Sequence, residues 1–333
     1  MALAPWLQAQ LERLHGHRGH ALLLSGASGM GQFDLAMALA RLWLCDQPSA
    51  QGACGQCASC HAVDVHTHAD LAVLMPETEA LARDWPLSPK AQDAIDKKER
   101  KPSKWIRVDA AREAIGFAQL TAARGNSKVI VVYPAERMNV ETANTLLKTL
   151  EEPPPDLRFV VATEAAHLVL PTIRSRCQLH PMDWPDAAAV EPWLAQAVPD
   201  SSQADRRACL LAAGGHPHAA LDWAQSGLRA AQWHALPQEI AQGEGAQLGQ
   251  WLPAQQQQVL LQVAHDAMAI AAGAAPRFFD PHDLPPPPPM RTLEAWQRRL
   301  VAQARVVEHP FNPGLMLEAG LADARSVFAS RRR

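Results

Sequence analysis

The alternation of strands and helices in the first half of the chain limits the folds open to it. An apolar run at 21–24 leads into a glycine-rich loop at 26–31, and the residues after the loop place apolar side chains at helical spacing. Two more buried-strand patterns follow at 129–133 and 159–162, separated by a helix that Asn139 can cap. Strands that alternate with helices predict an α/β domain with a parallel sheet covered on both faces.

The strand pattern ends after about residue 183, where Ala-rich and Gln-rich helical patterns replace it. For a chain of 333 residues this predicts an α/β domain at 1–183, a small helical domain at 184–228 and a larger helical domain at 229–333. The run Pro285–Pro289 interrupts the last domain and predicts a stiff polyproline connector. A ligand for a proline-reading domain is the alternative.

Charge and hydropathy limit the partners of the chain. It carries 31 Lys and Arg against 34 Asp and Glu, a net charge of −3, so nucleic-acid contact would have to come from a local patch. The sequence has no run of about 18 apolar residues, and its start lacks the basic and apolar regions of a signal peptide. We therefore expect no membrane span and a cytoplasmic location.

Four of the six cysteines are clustered, in the spacing C-x8-C-x2-C-x2-C. In a reducing compartment such a cluster indicates a metal site, because two C-x2-C steps let thiolates converge on one tetrahedral ion. We predict a structural Zn²⁺ bound by Cys45, Cys54, Cys57 and Cys60. Reactive thiols are the alternative, and one ligand could instead be a nearby histidine: His61, His66 or His68. Cys177 and Cys209 are expected to be plain buried residues.

The glycine-rich loop has the frame of a phosphate-binding loop without its charges. Gly26, Gly29 and Gly31 allow backbone N–H groups to turn towards an anion at the start of the helix. Gln32 stands where a lysine would reach the phosphates, and Phe33 stands where a hydroxyl would bind Mg²⁺. We therefore expect no nucleotide binding here and no ATP in this chain's own site.

The end of the strand at 129–133 has lost the same chemistry. An ATPase needs an acidic pair there, for Mg²⁺ and for the attacking water. This chain has Pro134 and Ala135 at those places, with Glu136 one position later. Both halves of the site therefore lack the groups that would bind and hydrolyse ATP.

The segment 76–104 fits neither the strand pattern nor the helical pattern. It is rich in lysine and arginine near its end, and Trp105 follows directly. A basic stretch with an aromatic residue can contact phosphates, but a solvated loop is the favoured interpretation.

Four features together resemble bacterial clamp-loader subunits of the AAA+ class. They are the glycine loop, the four-cysteine insert directly after its helix, the string Asn-Thr-Leu-Leu-Lys-Thr-Leu-Glu-Glu-Pro-Pro at 144–154, and Arg174-Ser175-Arg176-Cys177. The resemblance covers roughly residues 1–228. It implies a P-loop (AAA+) domain, a helical lid domain and a C-terminal collar domain that assembles the complex. Segment 76–104 is an insertion relative to this family.

The resemblance also implies roles for single residues. Arg176 would be an arginine finger that reaches the γ-phosphate of ATP in a neighbouring motor subunit, and the alternative is a structural arginine that pairs with a carboxylate or a helix end. Thr163 matches the first sensor position, and His218 stands where a nucleotide-sensing arginine would be. The four clustered cysteines match the family's zinc ligands.

Three losses, at the phosphate loop, the acidic pair and the sensing arginine, favour a non-hydrolysing stator in the five-subunit DNA polymerase III clamp loader. Its implied partners are the gamma/tau and delta subunits, with the sliding clamp and primed DNA reached through the complex. The chain itself would have no ATPase activity, although the holoenzyme is a DNA-directed DNA polymerase. The alternatives are an ATP-hydrolysing gamma/tau-type motor subunit and a zinc-dependent DNA-binding protein.

Overall fold

A parallel sheet lies at the centre of the first part of the chain. This computed structural model describes residues 3–124, 127–305 and 312–330. The strands found there are β1 (Ala21–Ser25), β2 (Leu71–Leu74), β3 (Lys128–Val132), β4 (Leu157–Thr163) and β5 (Gln178–Pro181). They form one sheet in the order β2-β3-β4-β1-β5, and each neighbouring pair is parallel. The predicted α/β fold with a parallel sheet is confirmed.

Helices cover the sheet and join its strands. They are α1 (Pro5–Leu14), α2 (Gln32–Leu44), α3 (Ala58–Asp64), α4 (Glu77–Ala82), α5 (Pro89–Asp96), α6 (Val108–Gln119), α7 (Val140–Glu151) and the single turn α8 (Pro171–Arg174). The predicted cap of α7 is confirmed, because the Asn139 side chain accepts a hydrogen bond from the Thr142 backbone N–H at 2.8 Å. A 3₁₀ turn at Ala135–Arg137 connects β3 to this cap.

The central strands are buried on both faces, which explains their unbroken apolar runs. Ile130 and Phe159 are fully buried in a core that α6 and α7 complete, for example with Leu146. Side chains that alternate with these along the strands, such as Leu24 and Val131, face the opposite layer. There α2 contacts β1, β3 and β4, so the helix after the glycine loop is held against the middle of the sheet.

Helices continue from residue 187, and the described residues beyond that point contain no strand. They are α9 (Ala187–Ala197), α10 (Gln203–Ala212), α11 (Pro217–Gln225), α12 (Ala230–Gln242), α13 (Pro253–Ala271), α14 (Met290–Ala304) and α15 (Pro313–Ala329). Aromatic residues form part of their core: the Trp233 ring stacks on Phe279 at 4.5 Å between centroids, and Trp223 meets Trp251 edge to face at 4.9 Å.

The chain divides into two compact units, Met1–Ala189 and Val190–Arg333. The predicted boundaries at 183/184 and 228/229 stay predictions. Within the second unit, Pro285 and Pro288 are buried while Pro286 and Pro289 are exposed, the three-residue repeat of a polyproline helix. Across the described ranges, every helix is too short or too polar to cross a membrane.

Candidate metal centre, phosphate loop and arginine

The four clustered cysteines converge on one point. Their Sγ atoms all lie within 4.8 Å of one another, and two of the separations are 3.9 Å (Cys45–Cys57) and 4.0 Å (Cys54–Cys60). A tetrahedral Zn²⁺ with Zn–S bonds of about 2.3 Å places its sulfur atoms about 3.8 Å apart. The four thiols therefore fit a metal ion, and all four ligand positions would be filled by protein.

Local backbone structure brings these thiols together. Cys45 ends α2, and Cys57 begins α3, where its Sγ accepts the Cys60 backbone N–H at 3.3 Å. Between them Gly52 and Gly55 adopt φ values of +131° and +75°, which other residues rarely take. The cysteine spacing and the two glycines therefore act together to close the segment from Cys45 to Cys60, the four-cysteine knuckle.

The surroundings tune the thiols in opposite directions. Backbone N–H groups of Gln56 and Cys57 lower the pKa of the Cys54 thiol to about 6, whereas burial raises the pKa of Cys60 to about 12. A metal cation would offset the cost of ionising the buried thiol. Among the described residues the cluster consists of cysteines, and the nearby histidines are placed elsewhere: His68 Nδ1 accepts the Asp70 N–H at 3.0 Å, and His66 stacks on Trp85.

The side chain of Gln32, directly after the glycine loop, bonds back to the backbone of the loop. Gly29 and Gly31 have φ values of +79° and +89°, and Gly31 is the residue before α2 begins. The Gln32 side chain is buried, and its Nε2 donates to the Ala27 carbonyl across the loop at 2.6 Å. A lysine in this place would extend towards a phosphate, but the shorter amide of Gln32 bonds to the loop backbone instead.

Phe33 lies in an aromatic cluster. Its ring centroid is 5.3 Å from that of Tyr133 and 6.4 Å from that of Trp85, and the Arg83 guanidinium lies 4.6 Å above it. Arg83 and Trp85 belong to segment 76–104. The position that binds Mg²⁺ through a hydroxyl in an ATPase is therefore an apolar packing site here.

The carboxylate of Glu136, which follows β3, accepts hydrogen bonds from residues at the end of β4. Thr163 Oγ1 donates to Glu136 Oε2 at 2.6 Å, and the Glu164 backbone N–H donates to Oε1 at 3.1 Å. Thr163 is fully buried at the end of β4. Because each oxygen of Glu136 already accepts a hydrogen bond, this carboxylate ties β3 to β4. The sequence position of Thr163 did not reveal this contact.

Arg176 projects from the turn that follows α8. Ile173 is fully buried and Cys177 packs against the same core, so the backbone on either side is anchored. The guanidinium bonds to Glu151 through Nε at 2.7 Å and through Nη2, while Nη1 donates to the Thr172 carbonyl at 2.9 Å. The structure therefore contains the carboxylate pairing that was the alternative for Arg176. The sequence did not identify Glu151 as the partner of Arg176.

Segment 76–104 contains an ion pair between the buried Glu77 and the partly exposed Arg100. Glu77 is 6% exposed and accepts from both terminal nitrogens of Arg100 and from the Ser103 backbone N–H at 2.8 Å. The Arg100 guanidinium and the Ser103 N–H hold the pKa of Glu77 below its usual value, against the effect of burial. The prediction of a solvated loop is wrong for much of this segment, because α4 and α5 lie within it; only its solvated character holds for α5, which buries none of its residues. Trp105 is half-exposed beside Arg137.

Three predicted positions remain: His218 and Cys209 lie in the second unit, and Cys177 lies in the first. His218 lies in the first turn of α11, and its ring meets that of Trp193 at 5.2 Å between centroids. Cys209 is fully buried and Cys177 is partly buried, and burial raises the pKa of each thiol to about 12. Burial therefore disfavours the reactive thiolate form at both positions.

Comparison with known proteins gives a consistent set of relatives. The protein-family model described as "DNA polymerase III, delta subunit" matches residues 4–184. DNA polymerase III subunit delta' of Pseudomonas aeruginosa is 39% identical over 215 residues, which is 64% of this chain and 58% of that protein. The Escherichia coli subunit delta' is 36% identical over 222 residues, 65% of this chain and 59% of that protein.

More distant similarities were also found. DNA polymerase III subunit gamma/tau of Mycobacterium tuberculosis is 32% identical over 166 residues, 50% of this chain and 25% of that protein. A crystal structure of a DNA polymerase III gamma subunit-related protein from Thermotoga maritima covers 97% of this chain and 99% of its own, at 16% identity and a TM-score of 0.48. The matched region spans less than three fifths of the delta' relatives named above.

Proposed function

Because this chain belongs to the DNA polymerase III, delta subunit family, we propose that it is a clamp-loader subunit that does not hydrolyse ATP. In this role it would be the stator of a hetero-pentamer with gamma/tau and delta subunits in the cytoplasm. The sliding clamp and primed DNA would be reached through that complex. The helical region 229–333 would pack into its collar.

The observation that carries the non-hydrolysing role is the filled phosphate loop. Gln32 bonds to the Ala27 carbonyl, Phe33 packs among aromatic rings, and Glu136 bonds to Thr163 and the Glu164 backbone. Phosphoryl transfer depends on cations and on a metal-binding carboxylate. In this site the side chain at each of those places is instead engaged by other groups of the protein.

Arg176 would serve the neighbour's site. A guanidinium supplied in trans stabilises charge on the transferring phosphoryl group, and its planar fork suits phosphate oxygens. Energy for opening the sliding clamp would then come from ATP bound by the motor subunits. That ATP would act as a ligand that shifts the conformation of the assembly.

The four-cysteine knuckle would bind Zn²⁺ in a structural role. Cys45, Cys54, Cys57 and Cys60 would supply four thiolates, which leaves no position for water or substrate. The ion would fix a short segment that has few buried apolar side chains of its own.

Reconstitution tests the proposal as a whole. We expect the chain to co-purify with gamma/tau and delta subunits, with native mass reporting a pentamer. Arg176→Ala should leave assembly unchanged and lower DNA-stimulated ATP hydrolysis by the complex, because one neighbouring site loses its arginine. Arg174→Ala, in the adjacent exposed turn, is the matched control. An unchanged hydrolysis rate in the Arg176 variant would remove the arginine-finger assignment.

Equilibrium binding of labelled ATP to the isolated chain separates the stator from a motor subunit. We expect no binding at micromolar ATP. Micromolar affinity together with turnover would replace the proposed role with that of a motor subunit.

A further inference from the structure

Contacts within the protein use most of the hydrogen-bonding capacity of the Arg176 guanidinium, and Glu151 accepts from two of its nitrogens. An arginine has five N–H donors in a fixed fork. Here Nε and Nη2 both donate to Glu151 Oε1, and Nη1 donates to the Thr172 carbonyl at 2.9 Å and to Ser175 Oγ at 3.3 Å. One N–H of Nη2, on its terminal edge, has no acceptor among the described residues.

Both partners are mounted on rigid parts of the fold. Glu151 is the last residue of α7, directly after Leu150, which is 1% exposed in the core. Arg176 lies between the fully buried Ile173 and the core-packed Cys177. Helix α7 also contacts α8, so the separation between the two backbones is fixed by packing.

From this geometry we infer that Glu151 is a positioning residue for Arg176, an inference that rests on the arginine-finger role proposed above. A long arginine side chain loses much rotamer freedom when it is held in one pose. Glu151 imposes that loss before the neighbour arrives. It binds the guanidinium on its Nε side, and the remaining N–H of Nη2, on a side chain that is 29% exposed, is left for an incoming phosphate.

The opposite arrangement would be a latch, in which the carboxylate competes with phosphate for the guanidinium. A latch of that kind would raise the rate of hydrolysis when Glu151 is removed, whereas a support would lower it. Glu151 engages Nε and Nη2 and leaves one N–H of Nη2 without an acceptor among the described residues, so the guanidinium keeps a donor for a phosphate oxygen.

The test uses the reconstituted complex with Glu151→Ala and Glu151→Gln. Misplacement of a catalytic group by about 1 Å can cost up to about 10²-fold in rate. We expect Glu151→Ala to lower kcat about tenfold at the one ATP site that Arg176 serves, with the KM for ATP little changed, so the rate of the whole complex should fall by most of that site's share. Glu151→Gln should retain most activity, because its amide oxygen can accept the same two N–H groups. The exposed neighbour Glu152 supplies the control, Glu152→Ala, which should behave as wild type.

A double variant separates positioning from a general structural effect. In the Arg176→Ala background, Glu151→Ala should have no further effect on the rate, because the group that it positions is gone. A rate equal to or above wild type for Glu151→Ala alone, or a full additional loss in the double variant, would overturn the inference. If Arg176→Ala is itself without effect, the proposed finger fails. If only the Glu151 variants are without effect, the finger stands and the positioning role fails.

Discussion

Replacing Cys57 with serine should abolish the metal site and release the segment that it closes. Cys57 contributes one of the four converging thiols, and its Sγ also caps α3 by accepting the Cys60 N–H. A metal that joins Cys45 to Cys60 closes a loop of about 15 residues, and closing a loop of that length is worth about 3 kcal/mol in the chain-entropy model. Few apolar side chains are buried between these two cysteines, so packing offers little to replace it.

Zinc content and hydrogen exchange measure the two effects separately. Wild-type protein should release one zinc per chain to a chromogenic chelator after thiol modification, and the Cys57→Ser variant far less. About 3 kcal/mol corresponds to roughly a hundredfold loss of amide protection in α3. Cys177→Ser, which changes a thiol outside the cluster, should keep the zinc. Full occupancy in Cys57→Ser would show that the ligand set is wrong, and unchanged protection would show that the metal does not constrain the segment.

Two further predictions concern buried charge and the phosphate loop. Asp70 is buried 4.0 Å from the buried Lys128 ammonium and accepts two backbone N–H groups. Asp70→Asn should therefore lower the free energy of unfolding, measured in urea, by about 3 kcal/mol. The control Asp93→Asn, at an exposed position, should lower it by less than about 0.5 kcal/mol, and equal urea midpoints for the two variants would refute this prediction. Restoring the loop chemistry with Gln32→Lys and Phe33→Thr should not create micromolar ATP affinity in calorimetry, because the acidic pair after β3 is still missing; tight binding would show that these two residues alone block the site.

The strands that the sequence predicts are the ones buried on both faces. β1, β3 and β4 occupy the middle of the sheet, so their residues are apolar without interruption. β2 and β5 lie at the two edges and have four residues each, and β5 carries Gln178 and His180 in a partly exposed run. β5 therefore has no continuous apolar signal, which is why it was missed, whereas the apolar run of β2, Leu71–Leu74, is present in the sequence and was overlooked.

The candidate site divides in the same way between local and distant information. The cysteine ligands, and the presence of Gln32 where a phosphate-binding loop has a lysine, follow from spacing within short motifs. The partners of Glu136 and Arg176 do not, because Thr163 is 27 residues from the first and Glu151 is 25 residues from the second. Such contacts depend on which strands and helices become neighbours, and that order is set by the packing of the whole sheet.

The fate of Glu136 links the lost chemistry to the stability of the fold. A carboxylate at the end of a buried strand costs free energy unless a cation or hydrogen-bond donors accompany it. Since the lysine and the Mg²⁺-binding hydroxyl are replaced in this loop, Glu136 takes neutral donors from β4 and joins the two strands. Arg176, in the segment that connects β4 to β5, places a cationic side chain in a partly exposed position. The carboxylate of Glu136 is thus used within the fold, whereas the cation of Arg176 stays partly accessible. This arrangement suits a subunit that acts on its neighbour's nucleotide, as proposed, better than one that binds its own.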